Sequence, residues 1–479
     1  MKRRHFAGSM TAFAVGTVLL TSCATTLQGT PVSVFANPFS VAGMPAVNGP
    51  TGLRDDAEAP SRDVENTDGG DVDELAGSAV SDIEEFWAGH YAETFDGEFA
   101  PVGELVSWDS TDYDDEAYFC GDDVLGLVNA GYCLDENTIG WDRGELLPQL
   151  RDANGDMAVT MVLAHEYGHS VAYQAGLLTE DTPTLVGEQQ ADCLAGVYMR
   201  SVAEGRSSRF TLSTGDGLNN LLAAMIAFRD PLLTESNGEF GEDEHGSAFE
   251  RVSAFQFGFT DGAAVCEAID VDEINQRRGD LPVVLPDDET GELPVTRQSV
   301  TSIVDAMNVA FEPADPPRLS FTETDCPDAR SGGPASYCPG TNTITVDLPA
   351  LEELGAQSID DGGAVSGDNT AYSVVVSRFM QAVQKERGGV ALDDAKAALR
   401  TACLTGVATV KMTDSITTTN GDTIQLTAGD VDEAVSGLLV NGVAASDVNG
   451  DSVPSGFSRI DAFRVGVLGD ENRCFKRFD

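Results

Sequence analysis

Asn154 to Gly176 reads "NGDMAVTMVLAHEYGHSVAYQAG". Its apolar residues recur at helical spacing, Asn154 stands where an N-cap belongs, and Gly176 can close the helix in a left-handed conformation. His165 and His169 are four residues apart and share one face of that helix. Their imidazoles can give two nitrogens to one Zn²⁺. Glu166 is rotated from His165 by about 100°, which puts it beside such a metal and not on it. There it can take a proton from a metal-activated water and pass it to a leaving amine. His-Glu-x-x-His also occurs in ordinary helices, so the motif needs a third ligand before it means a site.

The next helical stretch, "PTLVGEQQADCLAGVYMRS", carries Glu188 and Asp192 four apart on one face. Three protein ligands and an open position suit catalytic zinc. Glu188 has the longer reach and is the candidate third ligand. Asp192 then accepts a histidine ring N–H and sets its tautomer. The spacing leaves the reverse assignment of these two acids open. His245, in "EDEHGSAFER", is a candidate catalytic donor to an oxyanion, with a plain loop histidine as the competing reading. His90, on the helix around "FWAG", reads as a packing or surface residue, and Arg251 as structural.

The chain repeats itself. "YFCGDDVLGLVNAGYCLDENTIGWD" is answered by "TDCPDARSGGPASYCPGTNTITVD", and "ADCLAGV" by "TACLTGV". "AFERVSAFQFGFTDGAAVC" is answered by "GFSRIDAFRVGVLGDENRC", which matches Arg251 with Arg459. The predicted fold is α+β, with two homologous zincin-like domains at 80–280 and 297–479. Each has a Cys-bracketed β-hairpin or meander and two long helices. Residues 281–296, which contain three prolines, read as a linker. Aligning the copies puts Arg378 on His165, Phe379 on Glu166, Ala382 on His169, Ala398 on Glu188 and Ala402 on Asp192. The second copy keeps the scaffold and loses the metal chemistry.

Before the repeat, Lys2, Arg3 and Arg4 precede an apolar stretch too short for a membrane span, followed by "LTSC". This predicts a lipoprotein signal peptide over 1–23, with lipidation at Cys23. "RRHF" leaves both the twin-arginine and the general secretory route open. Residues 24–79 are rich in Gly, Pro, Ser and acidic residues and read as a disordered acidic linker. Periodic structure is expected from about Ser81, a candidate helix cap. The expected location is exported, lipid-anchored to the outer face of a bacterial cytoplasmic membrane.

Nine cysteines are present, and eight remain if Cys23 carries lipid. An even number in an exported chain reads as disulfides. Duplication favours pairing within each copy. The short gaps favour Cys120–Cys133 and Cys326–Cys338, leaving Cys193–Cys266 and Cys403–Cys474. The formal net charge of −51 excludes a broad nucleic-acid surface, because no Lys/Arg surplus exists to displace counterions from phosphates. It equally disfavours docking on anionic headgroups. With 479 residues, 42% of them hydrophobic, the chain can bury sizeable cores.

Together, "YFCG…YC", "HEYGH", "GEQQADCLAG" and "HGSAFER" resemble the bacterial neutral zinc metallopeptidases, a gluzincin-type family. The resemblance covers roughly residues 80–275. It implies His165, His169 and Glu188 as zinc ligands, Glu166 as general base, and peptide or protein substrates. The expected function is that of a membrane-tethered zinc endopeptidase, whose second domain offers a surface to an envelope protein partner. The rival is a non-enzymatic envelope scaffold or binding protein with a vestigial or structural metal site.

Overall fold

Acidic residues open the first helix, α1 (Asp71–Thr94): Asp71, Asp73 and Glu74 lie in its first turn, where the helix dipole favours negative charge. Asp73 is buried and accepts from Trp141 Nε1 (2.8 Å) and Ser107 Oγ (2.7 Å). This anchors α1 to a three-stranded sheet. Its middle strand Thr138–Asp142 pairs parallel with Glu104–Trp108 and antiparallel with Ala130–Cys133. The computed structural model describes residues 37–113, 117–179, 181–235, 245–323, 325–359 and 365–479. The expected signal segment and Cys23 lie outside the described residues.

The first half continues through α2 (Leu146–Asn154), α3 (Asp156–Gln174), α4 (Thr184–Ala203), α5 (Asp216–Ala227), α6 (Ala248–Asp261), α7 (Ala263–Cys266) and α8 (Val271–Arg278). The second half has α9 (Arg297–Phe311), α10 (Leu348–Leu354), α11 (Asp368–Arg387), α12 (Ala395–Lys411), α13 (Asp430–Val440), α14 (Gly456–Val467) and α15 (Glu471–Arg477). Its sheet has the same pattern: Thr343–Val346 pairs parallel with Arg318–Ser320 and antiparallel with Ala335–Cys338. The protein is therefore a mixed α/β chain of helices with small sheets.

Glycines set the helix crossings. A Cβ on Gly258 of α6 would collide with Cys193 O of α4, and one on Gly196 with Phe255 O. A Cβ on Gly466 of α14 would likewise collide with Cys403 O of α12, and one on Gly406 with Phe463 O. Disulfides join Cys120 to Cys133, Cys193 to Cys266, Cys326 to Cys338 and Cys403 to Cys474.

Several local expectations are corrected. Asn154 ends α2, and Gly155, with φ 84°, separates it from α3. Gly176 does adopt the left-handed conformation, with φ 71°. Ser81 lies within α1, where its Oγ donates to Gly77 O at 2.7 Å. Residues 37–79 are not a disordered spacer. Gly52–Leu53 pairs with Phe210–Thr211, Val41 is fully buried, and Arg62 pairs with Glu84 while donating to Val102 O. Residues 71–79 already belong to α1 and bury Leu75, Ala76 and Ala79; residues 37–70 lack apolar periodicity because scattered contacts, polar ones among them, hold them down and no single apolar face does.

Nor do 281–296 act as a simple spacer. Val284–Leu285 pairs with Leu233–Thr234. One apolar core runs from Val41 to Phe478 and draws on both halves. Across the junction, Gly456 N donates to Asn219 Oδ1 at 2.9 Å and Gln256 Nε2 to Phe457 O at 2.9 Å. Among the described residues, no helix is long and apolar enough to cross a membrane.

Candidate metal centre

Gly168 lies between the two histidines of α3. A Cβ there would sit 2.7 Å from Ala191 O and 2.9 Å from Ala191 Cα. Its absence lets α4 pass against α3 at the turn that carries Glu188 and Asp192. Ligand atoms of His165, His169 and Glu188 consequently lie within 4.8 Å of one another. His165 Nε2 is 3.0 Å from Glu188 Oε2, and His169 Nε2 is 3.4 Å from Glu188 Oε1.

Asp192 takes the supporting place and not the ligand place. His165 Nδ1 donates to its Oδ1 at 2.8 Å. Arg251 of α6 grips the same carboxylate with two bonds of 2.9 Å, from Nε and Nη2. Burial alone would push the Asp192 carboxyl up, but Arg251 and His165 hold it down at about 2. Sequence reading assigned Arg251 a structural place, and the fold ties it to the site through Asp192.

The donor set fits a divalent metal. Two imidazoles and one carboxylate converge there. Both ring nitrogens of His165 face carboxylates, Nδ1 that of Asp192 and Nε2 that of Glu188, a setting that favours the charged ring. Burial opposes that charge, yet Asp192 and Glu188 raise the His165 pKa to about 10. Glu188 is raised by burial but brought far below the carboxylate range by His169 and His165.

Glu166 is half-buried and lines the same cleft, of about 570 Å³. Burial raises its carboxyl pKa, against the attraction of His165 and His169. The edge strand Ala130–Cys133 forms one wall, and Met161, Met225 and Phe228 line an apolar part. His245 also lines the cleft, with Nε2 3.6 Å from Glu188 Oε2.

Sequence reading missed what holds His245. Its backbone N–H donates to Asp230 Oδ1 at 3.0 Å, and Gly246 N–H to Asp230 Oδ2 at 2.7 Å. Its Nδ1 lies 3.5 Å from Asp230 Oδ1. Gln189 Nε2 donates to the His245 carbonyl at 3.0 Å. Gly246 has φ 100°, a turn conformation that suits glycine. Ser247 and Glu250 then close a capping box on α6. The "S-x-x-E" pattern was a visible cue for that helix start, whereas nothing near Asp230 marked its role. His90 stands apart from the site, its Nδ1 donating to Phe86 O at 2.8 Å.

The second half holds no such centre at the matching positions. Arg378 is buried and donates to Ala335 O (3.0 Å), Ser446 Oγ (2.8 Å) and Val443 O (3.1 Å). Burial pulls its guanidinium down to about 10, which Asp447 only partly offsets. Arg459, lacking a carboxylate like Asp192, donates instead to the carbonyls of Leu438, Leu439 and Val453.

Two histidines a helical turn apart and a glutamate from the next helix form a His₂Glu cluster that could hold a metal ion, and a second glutamate faces the same cleft. The chain belongs to the neutral zinc metallopeptidase family: the family described as "Putative neutral zinc metallopeptidase" matches residues 2–269, more than half of it. "Uncharacterized protein YpfJ" of Escherichia coli (strain K12) is 33% identical over 160 residues, 30% of this chain and 53% of that protein. "Uncharacterized protein Mb2605" of Mycobacterium bovis is 30% identical over 154 residues, 28% of this chain and 53% of that protein. The chain spans about half the length of the curated relatives it matches. No solved structure matches it.

Proposed function

We propose that this protein is a zinc-dependent endopeptidase. The observation that carries the reading is the convergence of His165, His169 and Glu188 within 4.8 Å, in a cleft that Glu166 shares. His165, His169 and Glu188 would hold a zinc ion there, which would supply Lewis acidity for activating a water. Glu166 takes the proton of that water and delivers it to the leaving amine. A carboxyl raised by burial suits both halves of that exchange. His245 donates to the carbonyl oxygen as it gains charge. An extended peptide can lie beside the edge strand Ala130–Cys133.

The second half is, in this reading, a duplicated domain without zinc ligands. Its sheet pattern, glycine crossings and disulfides support the duplication. The four disulfides agree with export to an oxidising compartment, and Cys23 is the proposed lipid anchor. Cys23→Ser should move the protein from the membrane to the soluble fraction; retention would exclude that anchor.

Metal analysis with a peptide-library digest tests the activity. The expected result is one zinc per chain and cleavage that is lost in Glu166→Gln with zinc retained. Zinc binding without cleavage of any peptide by the unsubstituted protein would favour the scaffold reading. Full activity in Glu166→Gln would remove Glu166 from the mechanism.

A further inference from the structure

We propose that the C-terminal half completes the active site by supplying Asp432, a positioning residue for His245. The proposal rests on the peptidase reading for its catalytic consequence, but not for its geometry.

Asp432 lies in the first turn of α13, in the half that has lost the metal ligands. Its carboxylate reaches across the junction to two points. Oδ1 accepts the Phe249 N–H at 3.2 Å, and Oδ2 lies 3.7 Å from Arg229 Nε. Phe249 is the second residue of α6, so its N–H is among the donors a helix start leaves without an internal partner. A carboxylate at that end also meets the positive pole of the helix.

These two points flank His245. Arg229 precedes Asp230, which accepts from His245 and Gly246. Phe249 follows the turn Gly246–Ser247 that leads out of His245. One carboxylate from the other half therefore bridges the two segments that fix the His245 ring. Burial holds the Asp432 carboxyl up at about 6. Glu250 repels it while Arg229 attracts it.

The bridge gives the second half a role that needs no ligand chemistry of its own. α13 must keep its place relative to α6, which explains an intact scaffold beside an erased metal site. Without Asp432, the segment bearing Asp230 and the start of α6 would be joined only by the bonds of Asp230 to His245 and Gly246, and the His245 ring would be held less firmly.

Ring NMR of the full chain with labelled histidine tests this, because the chain has five histidines in all and His245→Gln assigns the relevant signals. In zinc-free protein, Asp432→Ala should shift or broaden the His245 ring signals and leave those of His90 in place. In zinc-loaded protein, kcat should fall about tenfold, as for loss of a positioned partner, with KM nearly unchanged. Asp432→Asn, which keeps an acceptor for Phe249 and loses the charge opposite Arg229, should give a smaller change of the same kind. It also serves as the reporter if the alanine variant does not fold. Unchanged His245 signals in whichever variant folds would overturn the proposal. Absence of peptidase activity in the unsubstituted chain would leave the NMR comparison intact, so failure of the enzyme reading is a separate result.

Discussion

Asp192 Oδ1 lies 2.8 Å from His165 Nδ1, and the same carboxylate is gripped by Arg251. Asp192 is fully buried and Arg251 nearly so. Asp192→Asn keeps the side-chain shape and leaves the guanidinium without a charge partner. The expected loss of stability is about 3–5 kcal/mol, the usual consequence of breaking a buried pair from one side. Zinc affinity should fall by about 10–100-fold as His165 exchanges a carboxylate partner for a neutral amide. Denaturant titration and competition with a chromophoric chelator measure the two effects. Unchanged zinc affinity would show that Asp192 does not orient the ligand.

Gly168→Ala should act on the metal without touching a ligand. The added methyl would lie 2.7 Å from Ala191 O, so α4 must retreat and take Glu188 with it. Zinc affinity should drop at least about tenfold, with about 1–3 kcal/mol of overpacking. Wild-type zinc affinity would mean that some other contact sets the helix spacing.

The paired crossings permit a comparison within one chain. Gly258→Ala and Gly466→Ala each drive a methyl into a cysteine carbonyl, at Cys193 and Cys403 respectively. Both should cost about 3 kcal/mol or more. Only Gly258→Ala should also weaken zinc, because α6 carries Arg251. Equal effects of both variants on zinc would show that the crossing in the second half is coupled to the site.

A pH dependence should arise in the second half. Burial, aided by neighbouring carboxylates, pushes Asp368 up to about 7 and Glu433 up to about 9, and raises Asp430 well above its usual range. Their folded pKa values exceed the unfolded ones, so the fold holds protons that the unfolded chain releases from about pH 4 upward. The contribution of these groups is most favourable near pH 4 and is lost as the pH rises through about 7 and about 9. Glu433→Gln should flatten that fall and raise the urea midpoint at pH 8. A midpoint at pH 8 no higher than that of the unsubstituted protein would place the ionisation elsewhere.

What the sequence determined was local or periodic. The four-residue spacings put His165 with His169, and Glu188 with Asp192, on shared helix faces, because helix geometry follows from spacing alone. The four cysteine pairs were legible from their repeated order and spacing. The tertiary structure decided which acid faces the histidines, because Gly168 sets how closely α4 approaches α3. It tied residues 37–79 to the fold and joined both halves into one core. Neither has a local signature, since scattered polar contacts such as Arg62 with Glu84 hold the former. It also brought Asp230 and Gln189 to His245, and Asp432 to Phe249, 183 residues away. No periodicity encodes such a pair; only the packing of α13 against the start of α6 brings it together.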